Sequence, residues 1–544
     1  MAEKDRKYST EEVAAEFQKQ SGNVSATARA LSVARSTVLK AVRKTGLHKK
    51  PLVGGDIKGI ADTRKAPLPS KNLIKRYICT SAQNNTHVNK PFWNALLTLA
   101  DWYDAELLVG TYSYNQNNFG QLAVKQGKVK DRENKLWFDP AITEYMSDES
   151  LELGNGLVWC GEMNILPTAV NPLSGLETYT HRKSAIFPHA KVAMRSIATM
   201  QGEGTKFNFT TGTVTLKNYI QKKEGIKAEH HHRYAALVVE VNHEGQWWVR
   251  QIGWSRKSDV LQDLDVVVKD GKVTTGNTVE AITWGDLHAT IAEPSVVEAS
   301  LEMLDTLKPR YQFLHDIFEG VSINRHVIKN GPDAHFGYNR WLRGLHRVDE
   351  EIRRTVELVN RYLRPDVETV VPDSNHDGWW LKSWLSKYDY RFDPANAELF
   401  LDLQRWFYSE IKRLTPSGLT HKDVNITEHV MGKFGGPVMQ TVKFLLADES
   451  FTICGKKIEC GMHGHLGPNG ARGTPENLSI VGRRANTGHT HSAAIINGLY
   501  VAGTSSQMKW SYNYGPSSWS HSHIVTYPNG MRCIVSMWQG KWRA

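Results

Sequence analysis

The stretch Glu280-Ala-Ile-Thr-Trp-Gly-Asp-Leu-His288 decides how this chain is read. A short apolar run gives way to glycine and then to two polar side chains, the pattern of a buried strand that carries Asp286 and His288 out of its carboxyl end. The same arrangement recurs twice downstream. Tyr311-Gln-Phe-Leu-His-Asp316 predicts a second strand ending on Asp316, and Glu368-Thr-Val-Val-Pro-Asp-Ser-Asn375 a third ending on Asn375, His376 and Asp377. Helices are expected between them, over Pro294 to Leu307 and, as one long amphipathic segment, over Tyr338 to Leu363. Strands alternating with helices specify an α/β sheet, and polar clusters at successive strand ends then converge on one rim of it.

Two further clusters follow, His463 in Met462-His-Gly-His465 and the pair His489 and His491 in Gly488-His-Thr-His491. Carboxylate, amide and neutral imidazole groups together suit hard-to-borderline divalent cations, a combination that scattered surface histidines would not follow. The ordered set points to a metal-dependent hydrolase. His465 competes with His463 for the fourth position. His521 and His523 also look like a ligand pair, but they read as strand residues of a hairpin turned by Pro528-Asn-Gly530. Arg472, Arg483 and Arg484, close to the last two clusters, are candidate phosphate contacts.

Over about 276–544 the order Asp-x-His, Asp, Asn-His-Asp, His, Gly-His-x-His resembles the calcineurin-like metallophosphoesterase superfamily. That resemblance implies a C-terminal layered αββα domain and phosphoester hydrolysis by a two-metal site with a bridging hydroxide. It implies that Asp286, His288 and His491 hold the first metal, Asn375, His463 and His489 the second, and that Asp316 bridges both. His376 would be the general acid or stabiliser of the leaving group, oriented by Asp377. The second block departs from the family's Gly-Asp-x-x-Asp, reading His315-Asp316-Ile-Phe-Glu319. Mixed oxygen and nitrogen ligands favour two Mn²⁺ ions, with Zn, Fe or Mg as alternatives.

At the other end of the chain, Ser9-Thr-Glu-Glu12 has capping-box spacing and predicts a helix from Thr10. A second helix is expected over Val24 to Leu31 and a third from Arg35 to about Lys44. Residues 1–46 thus resemble a helix-turn-helix module of the resolvase and Fis-like kind, with Ser32 where the turn usually has glycine. Arg35, Ser36 and Lys40 would project from the recognition helix toward DNA; an ordinary three-helix packing domain with a basic face is the alternative. Residues 47–72, rich in Gly, Pro and Lys, read as a flexible basic linker. Residues 73–275 read as an α/β or α+β domain of unknown role, opened by a βαβ-like unit over Arg76 to Thr111. Within it, Ser81 to His87 follows a strand end and has no assigned role, and His230, His231 and His232, read on a strand, fit a structural or surface role better than metal ligation.

The fold class expected is therefore multidomain α/β, with a small all-α head, the middle domain and the catalytic domain at 276–544. The 67 Lys and Arg against 56 Asp and Glu, a net charge of +11, favour a polyanionic partner. The five scattered cysteines form no disulfide framework or zinc ribbon, and no stretch reads as a leader or a membrane span, so a cytoplasmic protein is expected. Trp379, Trp380, Trp384, Trp406 and Phe407 lie among Lys382, Lys387, Arg391 and Arg405, a mixture that could stack bases or form an aromatic lid. A DNA-binding head on a metallophosphoesterase domain resembles the nucleases with which T5-like phages degrade host DNA early in infection. This implies a Mn²⁺-dependent DNase acting in the bacterial cytoplasm and leaves homo-oligomeric assembly open. A phosphatase or nucleotidase for small phosphoesters, and a DNA-binding regulator with a vestigial metal site, are the other readings.

Overall fold

The computed structural model describes residues 8–20, 24–33, 35–45, 63–114, 137–255, 257–323, 334–510 and 513–544. Three short helices lead the chain, Thr10–Lys19, Val24–Leu31 and Arg35–Lys44. Ser9 and Glu12 cap the first reciprocally, the Ser9 hydroxyl accepting from Glu12 N at 3.1 Å and Glu12 Oε2 from Ser9 N at 2.7 Å. Val13, Phe17, Val24, Ala28, Val38 and Val42 form their core. Ser32 adopts φ 51°, the left-handed conformation that the turn requires and glycine would take more cheaply. Lys40 is exposed, whereas the side chains of Arg35 and Ser36 lie outside the described residues.

Most of the expected linker also lies outside the described residues, but its later part is not free chain. Arg64–Lys65 pairs in parallel with Ser150–Gly154 at the edge of a sheet, and Arg64 forms an ion pair with Glu149 at 2.6 Å.

Three sheets carry the rest. A seven-stranded sheet contains the parallel pair Lys75–Gln83 and Glu106–Tyr112, connected by the helix Lys90–Tyr103, and continues through antiparallel strands to Lys272–Thr274. A six-stranded sheet sets Lys443–Phe444, Glu368–Val371, Tyr311–Phe313 and Ala281–Thr283 in parallel, then adds the antiparallel hairpin Ser522–Thr526 and Arg532–Ser536. An eleven-stranded sheet joins strands from both sides of residue 275: Met194–Ile197 pairs with Ala494–Ile496, so the middle and C-terminal regions share one layer.

The period-two alternation of strands explains how these layers stack. In the six-stranded sheet Ala281, Phe313 and Val370 face Ile453 and Ile458 of the eleven-stranded sheet, whereas Ile282 and Val371 face the helices Pro294–Leu307 and Val348–Tyr362 through Val297, Leu304, Ile352 and Val359. The seven-stranded sheet does the same on its own account, Ile78 and Val238 facing the helix Lys90–Tyr103 and Cys79, Leu237 and Val239 facing Trp159 and Phe209 of the shared layer. The helix expected over Tyr338 to Leu363 is two helices, Ala334–Leu342 and Val348–Tyr362, and Gly344 at φ 64° turns the chain between them. Among the described residues no helix is long and apolar enough to cross a membrane.

Candidate metal centre

The parallel strands of the six-stranded sheet end on the loops that carry Asp286 and His288, Asp316, and Asn375 to Asp377. Two strands of the shared layer, Ile458–Glu459 and Arg484–Thr487, end on the loops of His463 and of His489 and His491. The site therefore lies where the ends of two stacked sheets meet. Two glycines let the loops approach. A Cβ on Gly285 would come within 2.8 Å of Thr504 N, and one on Gly488 within 2.2 Å of Asp286 Oδ1.

Backbone hydrogen bonds lock the loops to one another. His288 N donates to Asp316 O at 2.7 Å, Gly488 N to His463 O at 2.8 Å, and His489 N to Asp286 Oδ2 at 2.9 Å. They sustain unusual conformations: His288, Asp316, His489 and His491 have φ of 45°, 43°, 77° and 57°. Such left-handed non-glycine residues cost of order 1–3 kcal/mol each and persist where the surroundings over-determine them.

The side chains converge. Asp286, His288, Asp316 and His491 each offer one ligand atom, all within 4.8 Å of one another, and Asp316, His463 and His489 form a second such group. His491 Nε2 lies 3.1 Å from Asp286 Oδ2 and 3.0 Å from His288 Nε2, and His463 Nε2 lies 3.2 Å from Asp316 Oδ2. Both groups could hold a metal ion, and Asp286, His315 and His463, and His288, Glu319 and His376, form two further groups of equally close donors. Asp286 Oδ1, Asp316 Oδ1, Asn375 Oδ1, His489 Nδ1 and His491 Nδ1 are buried without a hydrogen-bond partner. Each such orphan costs about 1–3 kcal/mol, a penalty that coordination to a cation removes.

Electrostatics point the same way. Burial and the neighbouring Asp316 push the Asp286 carboxyl well above its ordinary range. Burial acts on Asp316 too, but His463 and His376 beside it outweigh burial and hold it well below. Two carboxylates this close resist simultaneous ionisation unless a cation stands between them. Burial lowers His463 well below the ordinary imidazole value, His489 to about 4 and His491 to about 3, which keeps these rings neutral and able to ligate. Burial would lower His288 as well, yet Glu319, Asp316 and Asp286 raise it to about 9.

Of the two competing histidines, His463 belongs to the ligand groups; His465 belongs to neither, its ring centred 5.5 Å from that of His463. His376 adjoins the cluster, 4.6 Å from the His288 ring, with Nδ1 2.8 Å from the carbonyl oxygen of Glu319. Asp377, expected to orient His376, does something else: its carboxylate accepts from Phe318 N at 2.9 Å and Ile317 N at 3.4 Å, fixing the loop behind Asp316. Arg472 is exposed, has no ion-pair partner among the described residues, and its charge is felt at His489. Arg483 is engaged by Glu459 at 3.3 Å and Arg484 donates to Gly530 O, so both serve the strands around them.

Other polar residues fall outside the site. His523 lies in the expected hairpin and accepts from Gly285 N at 2.9 Å, while His521 Nε2 contacts Ser506 O at 2.9 Å. His230 and His231 end the helix Lys223–His231, not a strand; His232 follows it, buried between Tyr219 OH at 2.7 Å and Thr215 O at 3.0 Å. Trp380, Trp384 and Phe407 are core residues, Trp406 stacks on His429 at 3.6 Å, and Trp379 alone of the five is exposed, at 46%.

Two residues of the second block were quoted from the sequence without a role of their own. Glu319 Oε2 lies 2.6 Å from His288 Nδ1 and the Glu319 carbonyl oxygen 2.8 Å from His376 Nδ1, so one residue braces a candidate ligand and its neighbour. His315 Nδ1 lies 3.2 Å from His463 Nδ1 and makes, with that residue and Asp286, another group of close donors. The available signals were the spacing Asp316-x-x-Glu319 and the histidine that stands at 315 where the family's block has glycine.

Compared with known proteins, the chain matches no family model. It is similar to "Protein A1" of Escherichia phage T5, at 35% identity over 483 residues that cover 86% of this chain and 83% of that protein.

Proposed function

Because the chain belongs to the family of Protein A1 of Escherichia phage T5, we propose that it is a phage-encoded, Mn²⁺-dependent DNA nuclease of the calcineurin-like metallophosphoesterase kind. The observation that carries this reading is the sharing of carboxylates between neighbouring donor groups: Asp316 belongs to one group with Asp286, His288 and His491 and to another with His463 and His489, and Asp286 belongs also to one with His315 and His463. One carboxylate common to two neighbouring ligand groups is what a two-metal hydrolytic centre requires. Asn375, its Oδ1 buried and unpartnered, would complete the second group. Divalent cations bound there polarise phosphoryl oxygens and lower the pKa of water.

The chain's own side chains do the rest. The Glu319 carbonyl at His376 Nδ1 calls for a proton on that nitrogen, which leaves Nε2 as the ring atom through which a proton or a hydrogen bond would reach the departing oxygen. Asp377 holds the Ile317 and Phe318 amides, and with them the loop between Asp316 and Glu319. Arg472 supplies a free guanidinium for a phosphate of the substrate. The net charge of +11 and the three-helix head with exposed Lys40 fit a DNA substrate in the cytoplasm of an infected bacterium.

The test is incubation of the purified protein with linear and circular DNA, and with a small chromogenic phosphodiester, in Mn²⁺, Mg²⁺ or chelator. DNA should be cut with Mn²⁺. Asn375→Ala should lose most turnover, and His376→Ala should lose roughly a hundredfold to ten-thousandfold while still binding Mn²⁺. Cleavage undiminished by excess chelator would sink the proposal, and hydrolysis of the small ester with DNA left intact would turn it toward a phosphatase.

A further inference from the structure

Glu351 is a carboxylate at 3% exposure on the helix Val348–Tyr362, where it is buried beside the apolar Ile352, Val356 and Val359 and the hydroxyl of Thr355. It belongs to neither ligand group. Burying a charge on such a face is unfavourable unless every lone pair is used, and a leucine there would pack without that cost. Here the lone pairs are used, and all on two loops. Oε1 accepts from Thr290 Oγ1 at 3.1 Å and from Val321 N at 3.0 Å; Oε2 accepts from Ser322 N at 2.8 Å and from Ser322 Oγ at 2.5 Å. The carbonyl groups of the same two residues, Val321 and Ser322, accept from Arg340 Nη1.

The position of those donors gives the carboxylate its meaning. Thr290 is in the turn Ala289–Ile291, directly after His288. Val321 and Ser322 are in the turn Val321–Ile323, directly after Glu319 and Gly320. Glu319 in turn reaches His288 Nδ1 at 2.6 Å. One side chain thus ties the end of the loop bearing Asp286 and His288 to the end of the loop bearing Asp316 and Glu319.

We infer that Glu351 is a positioning residue for the metal centre: it fixes the separation of the two loops and so the geometry of the group formed by Asp286, His288, Asp316 and His491. The inference rests on the nuclease reading above. A purely structural tie between helix and sheet would make a different prediction, a loss of stability with cation affinity unchanged.

Glu351→Gln places an amide NH₂ against donors, and Thr290→Val removes only the bond into the His288 loop while keeping the side chain's shape. Mn²⁺ titration of the full chain by calorimetry, beside thermal melting in chelator, separates the outcomes. Weakening of one class of site by roughly tenfold to a hundredfold in both variants, the other class unchanged, is expected, as for other residues that orient metal ligands. The metal-free melting temperature of Thr290→Val should stay near that of the unaltered chain. Turnover should fall at limiting Mn²⁺ and recover in excess, with KM for DNA unchanged. Should Glu351→Gln fail to fold, Thr290→Val and Ser322→Ala carry the measurement alone. Cation affinities equal to those of the unaltered chain in the folded variants would overturn the inference and leave the nuclease reading standing. An unaltered chain that binds no divalent cation would overturn both.

Discussion

The molecule contains two sets of parallel strand ends, and they differ in how their polar groups are satisfied. In the seven-stranded sheet the pair Lys75–Gln83 and Glu106–Tyr112 ends on Gln83, Asn84, Asn85 and His87. Most of their polar atoms have partners nearby: Gln83 Nε2 donates to Asn218 O at 2.7 Å, Asn84 Oδ1 accepts from Tyr114 N at 2.7 Å, and His87 Nδ1 meets Asp139 Oδ2 at 3.1 Å. In the six-stranded sheet the strand ends present side chains several of whose buried atoms, Asp286 Oδ1, Asp316 Oδ1 and Asn375 Oδ1 among them, have no hydrogen-bond partner. Strand ends gather polar residues in both places. What distinguishes a metal centre from a structural cluster is that its donors converge and stay unsatisfied until a cation arrives.

The largest effect that would break this comparison is expected at Asp316. Asp316→Ala removes the carboxylate common to both ligand groups, so calorimetry should find no tight Mn²⁺ site and DNA cleavage should drop to background. Retention of two tight sites would mean that the shared carboxylate has been misread. Next in size is Trp379, the exposed aromatic close behind His376 in sequence. If it stacks on a base of the substrate, Trp379→Ala should weaken DNA binding by about 1–3 kcal/mol and leave hydrolysis of the small chromogenic ester unaltered. Equal losses on both substrates would instead assign it to the aromatic lid.

How legible was this in the sequence? The ligand loops were legible because each follows an apolar run whose alternation fixes where the strand stops, and because Asp286, Asp316 and His491 belong to types that seldom cluster by chance. The first three helices were equally readable, since Ser9, Glu12 and the spacing of Val13 and Phe17 are local signals. Partners set by tertiary packing were not. Asp377 stands next to His376 in the chain, yet its carboxylate is drawn to the Ile317 and Phe318 amides contributed by another loop. Arg483 and Arg484 carry the right charge, but Glu459 and the Gly530 carbonyl engage them. The pairing of Met194–Ile197 with Ala494–Ile496 joins segments far apart in the chain, and no local pattern reports it.

Smaller effects should mark the satisfied cluster of the middle region. His232→Ala leaves Tyr219 OH without its imidazole partner in a buried setting, which should cost about 1–3 kcal/mol in urea unfolding while Mn²⁺ affinity stays unchanged. A fall in Mn²⁺ affinity would show that the two regions are coupled through the shared sheet.

Asp148 gives the finest test, and its sign can be worked out. It lies beside the end of the strand Glu106–Tyr112, where burial raises its carboxyl to about 6 although Thr111 N and Oγ1 donate to it at 3.1 and 2.8 Å. A folded-state value above the unfolded one means that the native protein binds more protons between roughly pH 4 and pH 6, so stability falls as pH rises through that window and is level above it. Asp148→Asn keeps an acceptor for Thr111 but has no charge to bury. It should match the unaltered chain near pH 4 and exceed it above pH 6, by at most about 3 kcal/mol, the free energy of holding a proton across that window. Because this carboxylate has its donors and no second carboxylate pressing on it, the substitution should leave Mn²⁺ binding and cleavage as they were. The same exchange at Asp286, buried against a second carboxylate, should abolish both, and an equal response at the two positions would remove the distinction between a satisfied cluster and a metal centre.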